Sequence, residues 1–152
     1  MGVTVATPPV ANTPNFDGTT RSIPLVIQAN GQFYPSLGFE VLRAYYDQPN
    51  YQTRVTQDAG IECVKMGRDK PIQTTSSGDL MVSYWNNFDS ISFADLKESD
   101  IQNKILVYGL TAEGLSNPIS TPMGVMYPHE VQAHLIQTVS TGVQIQQSYY
   151  FE

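Results

Sequence analysis

The sequence predicts an all-β fold: an antiparallel β-sandwich or jelly-roll-like domain behind an extended N-terminal arm. Three observations point there. Runs of four to ten residues alternate apolar and polar side chains with period two, separated by Gly, Pro, Asn and Asp. β-branched and aromatic residues, which suit a pleated, half-buried surface, dominate those runs. Only residues 93–101 offer a serious helical pattern, enough for one or two turns.

Residues 1–22 read as the arm and residues 23–152 as the domain. The first 24 residues hold Pro8, Pro9, Pro14 and Pro24, five threonines and two charges, Asp17 and Arg21. Proline fixes φ and removes an amide donor, so this stretch runs extended and cannot be a helix or a central strand. An extended Pro/Thr-rich terminus is expected to lie on a neighbouring subunit, with Val3, Val5, Pro8, Pro9, Val10, Pro14 and Phe16 as the contacting residues.

The elements follow in order. Residues 23–28 form a strand, and Asn30-Gly31 is a strong hairpin turn because both residues accept positive φ. Residues 37–46 alternate loosely and are expected as a strand, ended by Pro49-Asn50. Residues 51–57 and 60–66 form a strand pair, and Cys63 sits on the face of Ile61 and Lys65 as a small half-buried hydrophobe. Residues 80–85 form a strand with Met81, Ser83 and Trp85 on one face. Residues 104–110 are apolar enough for a buried strand, and residues 114–124 are loop-like. Residues 130–139 and 142–151 read as two long closing strands.

Composition narrows the function. The chain has 152 residues, 41% hydrophobic, and a net charge of −6. Charged residues are 14%, against about 25% in an average soluble domain. In their place stand 13 Thr, 12 Ser, 12 Gln and 8 Asn. Eight dispersed basic residues in an acidic chain argue against a nucleic-acid binder that neutralises phosphate. No apolar run is long enough to cross a bilayer, and no secretory signal opens the chain, so a chain made in a cytoplasm, or exported by a route the sequence does not show, is expected, without a membrane partner.

Catalytic motifs are missing. Residues 129–134 read His-Glu-Val-Gln-Ala-His, one residue longer than the zinc-protease spacing that puts two histidines on one helix face. A spacing of five turns the rings about 140° apart on a helix and to opposite faces on a strand. Asp89, Asp95, Glu98 and Asp100 lack the spacing and the glycine of a calcium loop. No Gly-x-Ser-x-Gly elbow, phosphate loop or dinucleotide fingerprint occurs. The expectation is a non-enzyme that needs no metal or cofactor. Tyr84, Trp85, Asn86 and Asn87 form an alternative glycan face, with a ring to stack on a sugar and amides to bond its hydroxyls. Gln144, Gln146, Tyr149 and Tyr150 form an expected oligomer contact, since neutral amides are buried with less desolvation cost than charges.

Val107-Tyr108-Gly109-Leu110-Thr111-Ala112-Glu113-Gly114-Leu115-Ser116-Asn117-Pro118 resembles the penultimate strand and following turn of fibronectin type III modules. The resemblance covers about a dozen residues and implies a β-sandwich grammar; Trp85 lies too close to Tyr108 to be that family's early-strand tryptophan. The whole organisation resembles tailed-phage head accessory proteins. That implies a virion structural protein, a capsid decoration or cement protein on the major capsid protein, homo-oligomeric and best fitted to a trimer. The alternative is a carbohydrate-binding or adhesion module centred on Trp85.

Overall fold

The computed structural model describes residues 15–57, 60–85 and 87–143. Within them, nine strands make four small antiparallel sheets, joined by a few helices, and no barrel closes. The all-β expectation thus holds in a coarser sense, with strands outnumbering helices. A sandwich of two stacked sheets is a finer arrangement than these sheets establish.

β1 (Ser22–Pro24) pairs with β7 (Asp79–Met81). β2 (Val26–Ala29) and β3 (Gln32–Pro35) form the hairpin expected around Asn30-Gly31, whose φ angles of 51° and 75° are those a two-residue turn with the twist of the strands demands. β4 (Tyr51–Thr56), β5 (Gly60–Met66) and β6 (Ile72–Gln73) form the three-stranded sheet, with a register shift between Arg54 and Val55. Cys63 lies buried and free on β5. β8 (Ile119–Thr121) and β9 (Gly124–Met126) make the last hairpin.

Two expected strands are helices. Residues 37–46 contain α1 (Leu37–Tyr45), which buries Gly38, Phe39 and Leu42 with helical spacing and pairs Glu40 with Arg43 one turn on. Residues 130–139 lie in α3 (Pro128–Thr141). Alternation in Val131, Ala133, Leu135, Gln137 and Val139 imitates a strand, yet Val131, Leu135, Ile136 and Thr138 are also one helical stripe. The end signals decide it. Pro128 occupies the first helical position, Glu130 Oε2 accepts the Tyr127 amide at 2.7 Å, and Gly142 ends the helix at φ 66°. The one-turn α2 (Glu98–Ile101) and the 3₁₀ turn Phe93–Asp95 agree with the helical pattern expected at 93–101. The last expected strand, 142–151, lies outside the described residues from 144 onward.

α1 and α3 cross where Gly38 leaves room, since a Cβ there would lie 3.0 Å from Leu135 Cδ2. The Gly38 amide, one of the orphan donors of a helix start, is accepted by Gln132 Oε1 of α3 at 3.1 Å in a buried position. One core therefore gathers Phe39 and Leu42 of α1, Val131 and Leu135 of α3, Ile23, Leu25 and Val26, Ile61, Val64 and Met66, and Leu80 with Val82. The extended stretch 104–110 is not the buried strand expected. Ile105 and Val107 face the core, but Leu106, Tyr108 and Leu110 are exposed, and among the described residues it joins no sheet.

Candidate functional site

Beyond β7, Ser83, Tyr84 and Phe88 lie against α3. The attachment is specific. The Ser83 amide donates to Thr138 Oγ1 at 3.0 Å, and the same hydroxyl donates to the His134 carbonyl at 2.7 Å, both buried. Thr138 is thus a two-way pin between segment and helix, and it follows His134 by one helical turn on the same face.

His134 sits in that contact with 2% of its surface exposed. The Tyr84 ring lies 5.2 Å from it, tilted, and the Phe88 ring 4.8 Å from it, edge-on. Among the described residues its Nδ1 has no hydrogen-bond partner, and neither do Ser83 Oγ, Tyr84 Oη and Gln137 Oε1, all buried. Buried polar atoms are ordinarily paired, so the three unmet ones of Ser83, Tyr84 and His134 on one segment–helix contact mark it out. Burial pushes the His134 imidazole below its ordinary pKa, against the Glu130 carboxylate and the Ser83 backbone, which favour the charged form. Burial also pushes the Tyr84 phenol up to about 12. At neutral pH the contact therefore holds an uncharged imidazole and an uncharged phenol. It offers uncharged hydrogen-bond donors and acceptors in a buried setting.

The second histidine is elsewhere. His129 stacks on Tyr127 at 5.9 Å, and a Cβ on Gly109 would overlap its ring, so only glycine fits at 109. Among the described residues no group of three His, Cys, Asp or Glu side chains could hold a metal ion. The acidic residues 95 and 100 line a surface depression with Ile91, Ala94, Leu96, Lys97 and Ser99, and Asp100 Oδ2 is occupied by the Lys97 amide.

The sequence-derived candidates distribute differently from expectation. Trp85 is 56% exposed and Asn87 is exposed, whereas Tyr84 turns inward onto His134. Asn86 lies outside the described residues, as do Val3, Val5, Pro8, Pro9, Val10 and Pro14 of the arm and Gln144, Gln146, Tyr149 and Tyr150 of the oligomer contact. Phe16 is fully exposed. Nearby, Asp17 pairs with Arg21 at 2.7 Å, and Thr20 is buried with its amide on the Ser120 carbonyl. Sequence reasoning gave no role to Ser83, Gln137 or Thr138 and set His134 aside as an ordinary strand residue. A helix over 128–141 would have placed His134, Gln137 and Thr138 on one side, which is the signal that was there to use.

A family model, the CHASE2 domain, matches residues 6–152. No curated protein and no solved structure matches the chain. CHASE2 domains are extracellular or periplasmic sensory domains of bacterial signalling proteins, often membrane-linked. This match overturns the virion reading. A capsid decoration or cement role, a major capsid protein as partner, capsid-type trimers, the absence of a membrane connection and a virion location all give way to it. The virion reading rested on low charge and a proline-rich start, which are properties of many surfaces. Among the described residues no helix is long and apolar enough to cross a membrane.

Proposed function

We infer a sensory role from one premise: the chain belongs to the CHASE2 domain family. It is the input part of a bacterial signalling protein and works outside the cytoplasm. It is not an enzyme; it converts a stimulus into a change of shape that other parts of the protein read. The observation that carries this is the family match over nearly the whole chain, residues 6–152. The contact of Ser83, Tyr84 and Phe88 with α3 supports it. Several of its buried hydrogen-bonding groups are unmet, and the Ser83 amide bonds directly across it to Thr138, so small stimuli can shift how the two sides pack.

Two measurements test the reading. Lys70, Lys97 and Lys104 are exposed, and a membrane-impermeant amine reagent should label them in intact spheroplasts. Protection until the cells are lysed would refute an extracytoplasmic position. In the signalling protein that carries this chain, Phe88→Ala should change the output at unchanged protein level. Output identical to wild type for substitutions all round this contact would remove its sensory role.

A further inference from the structure

We propose that His134 is a proton-binding site and that the stimulus this domain reads is external acidity. The proposal rests on the sensory reading above and names its stimulus. Its basis is the place of the imidazole: almost wholly buried, clamped between Tyr84 and Phe88, and set where Ser83, Tyr84 and Phe88 meet α3. A neutral ring is accommodated there. An imidazolium carries two N–H donors and a charge, and at Nδ1 no described residue offers an acceptor. Aromatic contacts favour the cation by less than the hydration it gives up on burial. Protonation is therefore relieved by opening, with Ser83, Tyr84 and Phe88 moving off the helix and letting water reach the ring.

The charged and titratable groups around the ring agree with that direction. From α3 the carboxylate acting on it is Glu130, which favours the cation but does not outweigh burial. Across from α3 the titratable group is the Tyr84 phenol, neutral throughout this range, beside uncharged Ser83 and Phe88. α1 meets α3 on Gly38, against Leu135, Gln132 and Ile136, and brings no charge there. Because the folded-state pKa of His134 lies below its unfolded value of about 6.5, the stability it contributes is complete above that pH and lost as pH falls below it. For one proton the folding constant falls by at most about tenfold per pH unit.

Trp85, the single tryptophan of the chain, follows Tyr84 in sequence and reports on the contact by fluorescence. The purified chain is taken from about pH 8 to about pH 5, above the range where ordinary carboxylates titrate. Wild type should show a reversible Trp85 fluorescence change and a falling unfolding midpoint below about pH 6.5. Both should flatten in His134→Gln and persist in His129→Gln. An unchanged pH response in His134→Gln would overturn the proposal. If His134→Gln does not fold, the imidazole of the wild-type protein is titrated by NMR: an apparent pKa below about 6.5 supports the proposal, and one at or above it overturns it. In the parent signalling protein, acid should switch the output in wild type and not in His134→Gln. An output that ignores acid but still responds to Phe88→Ala would overturn acid sensing and leave the sensory role standing.

Discussion

Thr138→Val tests the junction most directly, because it removes one hydroxyl and keeps the branched shape. In the folded protein that hydroxyl does two things, accepting from the buried Ser83 amide at 3.0 Å and donating to the His134 carbonyl at 2.7 Å. The second loss is small, since the His134 carbonyl keeps the ordinary helical bond within α3. The first loss orphans a donor in a residue only 4% exposed. An unsatisfied buried amide costs about 1–3 kcal/mol, and the added methyl offsets up to about 0.8 kcal/mol, so a net loss of about 1–2 kcal/mol is expected. Helix propensity does not confuse the result, because Thr and Val rank together. For a domain of this size each kcal/mol moves the melting temperature by about 2–4 °C, so the midpoint should drop by roughly 2–8 °C. Urea titration gives the free energy, and amide exchange at Ser83 should quicken beyond the global change. Thr138→Ser restores the hydroxyl and should recover most of the loss. A change below about 0.5 kcal/mol in Thr138→Val, or Thr138→Ser as unstable as Thr138→Val, would refute the claim that this hydroxyl pins the segment.

Further perturbations check the frame around that junction. Leu135→Ala empties a fully buried position against α1 and should cost about 2–5 kcal/mol in urea titration, with the spread set by how far α1 and α3 close up. Gly78→Ala places a Cβ 2.7 Å from the Val26 carbonyl oxygen at φ 90°, so a loss of at least about 1–2 kcal/mol is expected, visible as a lowered melting temperature. Asp17→Asn breaks an exposed ion pair with Arg21 and should leave the melting temperature unchanged in both low and high salt.

Much of the β portion was legible because its turns carry their own chemistry. Asn30-Gly31 specifies a tight hairpin wherever it stands between strand-like runs, and Ile61 and Cys63 are buried on β5 as the alternation implies, although Val64 and Met66 on the other face are buried too. The helices were hidden for a different reason. Nine residues of α1 and fourteen of α3 are short enough that period two and period 3.6 both fit their apolar positions. What separates the two is at the ends, in Pro128, Glu130 and Gly142, and in tertiary partners such as Gln132 capping α1 from another helix. That last bond joins residues 94 apart in sequence, so no local pattern announces it. The site shares this fate: Ser83 and His134 become neighbours only once α3 is a helix lying against the residues that follow β7.

The two histidines show how one spacing was read correctly and its meaning missed. Five residues on a helix turn two side chains about 140° apart, so they cannot share a metal ion. The same rotation also means that they cannot share an environment. On an amphipathic helix one of them must come closer to the core when the other stands away from it. Leu135, Val131 and Thr138 define the buried side of α3, and His134 lies among them while His129 stacks on Tyr127 beside Gly109. A buried titratable ring is expensive to keep, and Leu or Met there would pack with no unmet nitrogen. Its cost is smallest while the ring stays neutral and rises as the medium acidifies. A residue whose cost depends on the medium outside the domain is the device that the proposed acid sensing needs.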